Sequence, residues 1–329
     1  MKEENIRPAK LMERVDVLQV EDRKKLLKKK KGFIKIACPA CQSKKHKTLF
    51  KKDGFIFVSC ESCETVFVNP RPSFFMLAEY YEKAKSWKYW NDKIFPASEN
   101  SRRNQIFAPR AKKVSALCDA YKAKKEILVD VGAGFGTFCE EIKKLGVFKE
   151  VIAVEPSRSL AETCCEKGIK VIVKPIEKAN IKKASVITNF ELIEHLFWPK
   201  DFLLGCARNL SRGGLIIITT PNIKGFDLLT LGKFSENISA PNHLNYFNID
   251  SLGYLLKQCG FKIIESLTPG KLDSELVRKK IINGSFNVSI NSFLKYILID
   301  TWDKNGDSFQ KFLENNNLSS HMWIVAKKL

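Results

Sequence analysis

Asp130-Val131-Gly132-Ala133-Gly134-Phe135-Gly136-Thr137 decides how this chain folds. An apolar run, residues 126–131, enters the stretch and a helical pattern leaves it near Thr137, so three glycines stand where a strand turns into a helix. Glycine permits the tight turn and removes the Cβ that would hold a ligand away from the backbone. The amides of the helix start then face whatever occupies the turn. A dinucleotide fingerprint, Gly-x-Gly-x-x-Gly, would carry its third glycine at position 137, which is Thr137; here it comes one residue early, at Gly136. Glu155 ends the next apolar run, nineteen residues after Gly136, where a carboxylate can accept both hydrogen bonds of a ribose diol.

Outward from this turn, short apolar runs alternate with helical patterns, which predicts β-α units and a mainly parallel sheet. Strands are expected at 126–131, 151–155, 170–173, 185–189, 215–220, 261–267 and 321–326. The predicted fold is α/β, a Rossmann-like seven-stranded, mostly parallel sheet with an N-terminal zinc ribbon and a helical insertion between strands 6 and 7. Its expected divisions are a basic helical segment 1–32, a ribbon 33–70, a helical linker or lid 71–124, a core domain 125–269 completed by 320–329, and the insertion 270–319.

The ribbon is read from Cys38-Pro39-Ala40-Cys41 and Cys60-Glu61-Ser62-Cys63, two residues inside each pair and eighteen between them. Four thiolates make a closed tetrahedral zinc site with no position for water, so Cys38, Cys41, Cys60 and Cys63 are expected to hold a structural ion. His46 is surplus to that tetrahedron and is read as a surface residue. Ser73 is placed to cap a helix, and the aromatics Trp87, Tyr89, Trp90 and Phe95 after it suit either a lid over a site or packing between ribbon and core domain.

The 329 residues carry a net charge of +20, and a basic surface attracts phosphate backbones. Lys supplies 45 of the 56 cationic side chains, however, and Lys lacks the planar fork suited to bidentate phosphate recognition. The first helix, read over residues 9–31, ends in Lys28-Lys29-Lys30-Lys31, which is either a solvated end or a patch for a phosphate-bearing partner. No secretory leader or membrane span is read from the sequence, and a cytoplasmic protein with reduced cysteines is expected.

Taken together, Asp130–Gly136, Ala153-Val154-Glu155-Pro156, Asn189-Phe190-Glu191-Leu192-Ile193-Glu194-His195, Asn209-Leu210-Ser211-Arg212-Gly213-Gly214 and Thr220-Pro221-Asn222 resemble the class I S-adenosylmethionine-dependent methyltransferases. The likeness is to the branch holding ubiquinone-pathway O-methyltransferases and deoxysugar C-methyltransferases, and the ribbon is similar to that of the latter. A second, carboxyl-terminal Rossmann-like domain like theirs is not expected from these residues, which leaves the acceptor open. The resemblance implies that Gly132, Gly134 and Gly136 line the methionine part of S-adenosylmethionine, that Asp130 supports its ammonium group and that Glu155 holds the ribose. Ile176 and Glu177 would border the adenine, and Phe190 and Glu191 would close the pocket.

Methyl transfer to a hydroxyl or a carbon acid also needs a base, and a neutral imidazole suits that task. His243, in Pro241-Asn242-His243-Leu244-Asn245-Tyr246, is the first candidate, with Tyr246 as a substrate hydrogen-bonding group; His195 is either a second catalytic group or a holder of loop backbone. His321 is read as structural. The expected substrate is a small hydroxylated metabolite, with a nucleotide-linked sugar or a precursor of surface polysaccharide as one such class. Two other readings stay open: an RNA- or ribosome-directed methyltransferase gripping nucleic acid through its basic segment, and a non-catalytic module that binds the cofactor. The absence of an Asn-Pro-Pro-Tyr-type motif at Asn189 counts against N-methylation of bases.

Overall fold

The structure, a computed structural model, describes residues 3–181 and 183–329. Its strands in chain order are β1 (His46–Lys52), β2 (Phe55–Cys60), β3 (Val66–Val68), β4 (Ile127–Val131), β5 (Glu150–Val154), β6 (Lys170–Ile172), β7 (Ala184–Phe190), β8 (Leu210–Pro221), β9 (Asn245–Tyr246), β10 (Phe261–Leu267) and β11 (His321–Lys328). Seven form one sheet in the order β10-β11-β8-β7-β4-β5-β6. All its pairs are parallel except β11, which runs antiparallel to both β8 and β10. Strand order reverses at β4, so the crevice at the carboxyl ends of β4 and β7 is where such a sheet receives a ligand.

Strict alternation builds the two layers. Leu128, Val186, Leu215, Ile217 and Val325 face one core, whereas Val129, Ile187, Ile216, Ile218 and Ile324 face the other. Both faces are covered, which is why these strands read as continuous apolar runs rather than as half-polar ones. The strand β8 begins at Leu210, earlier than the expected 215, because Ser211–Gly214 are taken up in an irregular register between Ala184↔Leu210 and Val186↔Leu215.

The first helix is Ala9–Leu27, four residues shorter than expected, followed by a single turn at Lys30–Gly32. Lys29 pairs with Glu79 at 2.6 Å and Lys30 donates to the carbonyl of Gly54, so two of the four lysines are engaged with neighbouring segments. Ser73 caps the helix Phe74–Lys83 as expected, its hydroxyl accepting from the amide of Met76. The insertion between β10 and β11 is helical, with Asp273–Ile282 and Trp302–Asn315 as its longer helices, and it closes a small apolar centre of Leu231, Val277 and Leu298.

The ribbon is not a separate bead. Strands β1, β2, β3 and β9 make one four-stranded sheet, and β9 belongs to the His243 loop of the large domain. Val66 pairs with Tyr246 and Phe67 with Asn245, which joins segments about 180 residues apart in sequence. Cys38, Cys60 and Phe67 share an apolar core with Phe247 and Leu252 of the large domain.

Candidate active site

The glycine turn sits in a shell that the structure builds around it. Gly132, Gly134 and Gly136 have φ of 76°, 56° and 70°, the left-handed region that glycine alone enters freely. A Cβ at Gly134 would point into open space, whereas one at Gly132 would meet Leu192 and one at Gly136 would meet Cys164 and Ile169. Gly134 is therefore the glycine that opens toward a ligand, and its neighbours serve packing. Glu155 accepts the amide of Gly134 on one oxygen and that of Ser157 on the other, both at 2.9 Å, leaving a lone pair on each for a diol. Burial raises its pKa and those two amides oppose the rise.

Asp130 is buried at the end of β4, accepts the Thr188 hydroxyl at 2.7 Å, and is pushed up to about 6 by burial. Buried polar atoms seldom go without partners. Thr137 Oγ1, Asn189 Oδ1 and Gln105 Oε1 have none, and the first two stand just beyond β4 and near the end of β7. The donor set, the open side of Gly134 and these unpaired atoms fit a nucleoside-type cofactor at this crevice. Ile176, the first residue of the turn Ile176–Lys178, is buried in the core, and the Glu177 backbone packs under Gly205.

Over the turn lies the aromatic segment. Phe95 stacks on Phe135 with ring centres 3.7 Å apart and planes 7° from parallel. Two π-helical turns, Trp90–Ile94 and Arg103–Phe107, flank the helix Phe95–Arg102. Arg103 reaches Glu99, Glu140 and Glu141, which ties this helix to the one that starts at Thr137. Phe95 thus packs over the glycine turn, while Trp87 of the same segment packs against the core that Phe55, Phe57 and Val66 of the ribbon share with Tyr246. Phe190 lies between Phe138 and the guanidinium of Arg110, 4.4 Å from its ring centre. Glu191, at φ 50°, accepts from Thr219 and His321.

Across the crevice, His195 and His243 meet edge to face with ring centres 4.7 Å apart. The Nδ1 of His195 lies 2.7 Å from the carbonyl of Asn242, and that of His243 lies 3.0 Å from the carbonyl of Asn237. A carbonyl only accepts, so each Nδ1 carries the proton and each Nε2 is left unprotonated, with the Glu191 backbone also within reach of the His195 ring. Burial lowers both pKa values, that of His243 to about 3 with help from His195, and both rings are neutral. Glu194 is wholly buried beside them; Thr220 donates to its Oε2 at 2.9 Å, and Oε1 has no partner. Burial and the charge of Glu191 raise its pKa well above the usual carboxylate range.

Tyr246 departs from its expected part. It is fully buried; its hydroxyl accepts the Ser239 amide at 2.9 Å and donates to the Asn237 carbonyl, the same oxygen that orients His243. It positions the imidazole and does not face a substrate, because strand pairing with Val66 turns it inward.

The four ribbon cysteines have their sulfurs within 4.8 Å of one another, with Cys38–Cys63 and Cys41–Cys60 both at 3.5 Å. Sulfurs bound to one zinc stand about 3.8 Å apart, so the donor set fits that ion. Gln42 and Glu64, each just after the second cysteine of its pair, take positive φ and turn the two knuckles toward each other. Arg71 lies wholly buried between ribbon and loop, donating to the carbonyls of Val68 and Leu244 and to Asn245 Oδ1. Burial lowers its pKa to about 9, and the Cys38 sulfur supports its charge. His46 is held rather than loose at the surface, because its two ring nitrogens lie within hydrogen-bond reach of Lys44 O and Asn69 Nδ2. Arg71 and Glu194 carry roles that reading residues one at a time does not find; the adjacency of Glu194 to His195 is the one available signal.

Residues 100–266 match the family model described as a methyltransferase domain, half of the chain, and the chain belongs to that family. It is a class I S-adenosylmethionine-dependent methyltransferase. Among similar curated proteins, a ubiquinone biosynthesis O-methyltransferase of Maricaulis maris is 29% identical over 116 residues, 32% of this chain and 45% of that one. A probable S-adenosylmethionine-dependent methyltransferase of Mycobacterium tuberculosis is 29% identical over 119 residues, 35% of this chain and 42% of that one. The chain thus spans less than half the length of these relatives. A solved S-adenosylmethionine-dependent methyltransferase from Archaeoglobus fulgidus is 19% identical, with 72% of this chain and 100% of that one covered at a TM-score of 0.47. Among the described residues no helix is long and apolar enough to cross a membrane.

Proposed function

We propose that this methyltransferase acts on a hydroxyl of a small acceptor, seated against the Nε2 edges of His195 and His243. The unprotonated Nε2 atoms beside the buried, half-paired Glu194 carry the reading. Asp130 supports the cofactor's ammonium group, Glu155 takes the ribose hydroxyls, Ile176 and Glu177 border the adenine, and Phe190 and Glu191 close the pocket. The bound cofactor supplies a methyl group already activated on a sulfonium, so the protein's task is to align the acceptor, exclude water and accommodate the departing proton. The unprotonated Nε2 of His243 can accept a hydrogen bond from the acceptor hydroxyl and pass its proton onward, since burial keeps that imidazole from retaining one, and Tyr246 fixes the carbonyl that orients it. The buried donor Trp87 Nε1 and acceptor Asn242 Oδ1, both unpaired on segments next to His195, suit a polyhydroxylated partner.

The curated relatives named for O-methyl transfer support oxygen as the acceptor atom. The ribbon's likeness to sugar methyltransferases makes a nucleotide-linked sugar or a polysaccharide precursor the first class to test. Cys38, Cys41, Cys60 and Cys63 hold a structural zinc, with Arg71 balancing the negative tetrathiolate. The test is S-adenosylhomocysteine formation by the purified chain against a panel of nucleotide sugars and dihydroxylated phenols. His243→Ala should lower turnover by about 10²–10⁴-fold with cofactor affinity nearly unchanged. Undiminished turnover in that variant contradicts the reading.

A further inference from the structure

The insertion between β10 and β11 is apolar on two sides and uses only one of them for its own packing. Between Glu275 and Asp300 the chain carries no acid, while Arg278, Lys279, Lys280 and Lys295 fall in that stretch. Its short helix Ser292–Lys295 runs straight into the π-helical turn Tyr296–Asp300. The inner side of this pair is buried: Leu298 shares an apolar centre with Leu231 and Val277, and Leu294 and Ile297 pack against it. The outer side is apolar as well, with Phe293 64% and Tyr296 56% exposed, and Ile290, just before the helix, 97% exposed. Ile282, which ends the helix packed on that turn, is 60% exposed. Phe234 extends the surface, its ring against Phe286 and the Lys233 ammonium 5.4 Å above it. A helix that is hydrophobic all round belongs inside a larger apolar body, and the described residues supply that body on one side only. Exposed apolar surface of this extent marks contact with a partner or a membrane.

We propose that this face of the insertion lies on an anionic lipid bilayer, with Ile290 and Phe293 below the headgroups, Tyr296 at their level, and Lys233 and Lys295 against their phosphates. An apolar helix face flanked by lysines settles into the boundary between headgroups and acyl chains without spanning the membrane, and aromatic rings are favoured at that depth. Charge selects this occupant over a second copy of the chain. Lys280 is engaged by Glu236 and Arg278 by the Trp302 ring, which leaves Lys233 and Lys295 as exposed cations beside the apolar side chains. A twofold contact would set this patch against itself, with like charges opposed and no carboxylate between Glu275 and Asp300 to pair them. A single-stranded nucleic acid would satisfy the cations, but Ile282 and Ile290 offer no ring on which a base could stack. The net charge of +20 favours approach to a negative surface from any direction. Contact with a bilayer is independent of which hydroxyl is methylated.

In the experiment, the full chain with its ribbon loaded with zinc is sedimented with vesicles of phosphatidylcholine alone or with about 30% phosphatidylglycerol, and S-adenosylmethionine affinity is measured on the same protein. The chain should partition onto the anionic vesicles at least about tenfold more strongly than onto phosphatidylcholine, and the difference should shrink as salt is raised. The double variant Ile290→Ser, Phe293→Ser should weaken partitioning by about tenfold and Lys295→Gln by about fivefold. Cofactor affinity should hold in both, which reports that they have folded; Lys295→Gln decides alone should the double variant lose the cofactor. Wild-type chain that stays in solution beside anionic vesicles overturns the proposal, as does sedimentation that both variants leave intact. A lipid-free dimer in light scattering that the double variant dissolves, without vesicle binding, assigns the face to a second copy and overturns it too. Retention on polyuridine RNA without vesicle binding does the same.

Discussion

The two sides of the crevice are built in different ways. The cofactor side is local: Gly132 to Gly136, the helix after them and Glu155 lie within 24 residues, and the strand–turn–helix geometry follows from that sequence. The acceptor side is assembled from distant pieces, namely Glu194 and His195 after β7, His243 in a loop after β8, and the ribbon that pairs with that loop. A local site is specified by its own residues. A composite one depends on every contact that holds its pieces in register, here Arg71, Asn245 and the Val66–Tyr246 pairing.

The largest effect should break the local side. Gly134→Asp places a carboxylate into the open side of the turn and next to Glu155, and should abolish detectable S-adenosylmethionine binding in calorimetry, about a hundredfold or more. Binding within tenfold of the wild type would mean that the cofactor does not sit on this turn.

Arg71→Met attacks the composite side. It leaves the carbonyls of Val68 and Leu244 and the Asn245 side chain without their donor in a buried place, and should lower unfolding free energy by about 3 kcal/mol in a denaturant titration. At temperatures where the variant is still folded, turnover should fall by a larger factor than cofactor affinity. Equal losses in both would show that the ribbon does not act through the His243 loop.

A smaller effect sharpens the comparison through pH. Asp130 has its pKa raised to about 6 by burial, and a cofactor ammonium favours the ionised carboxylate. Above pH 6 the group is charged and affinity is flat. As pH falls through that value Asp130 takes a proton, and affinity should fall about tenfold per unit. Asp130→Asn should be weaker and should lose that slope; a wild-type profile without any slope between pH 7 and 5 would detach Asp130 from the ammonium.

The same contrast explains what could be read before the structure was known. All seven strands of the large sheet, the glycine turn, Glu155 and the paired cysteines follow from periodicity and spacing, because each is a property of a few adjacent residues. The two-residue strand β9 has no period of its own, and nothing near Tyr246 tells that Val66 will face it. The sequence therefore points Tyr246 toward a substrate, whereas pairing turns it into the core. Phe95 was legible as an aromatic in a candidate lid, but its stacking on Phe135 depends on how two helices cross. The meeting of Glu194, His195 and His243 joins two strand ends through a loop of variable course, and only their residue types were visible in advance.

The central claim is that the ribbon's four cysteines shape the acceptor side while the cofactor side stands alone. Removing zinc by chelation from the purified chain, then measuring S-adenosylmethionine affinity and methyl transfer on the same sample, tests it most directly. Methyl transfer should be lost and then restored by zinc, with cofactor affinity changing by no more than a few fold throughout. Loss of both together, or full methyl transfer from the zinc-free protein, would contradict the claim.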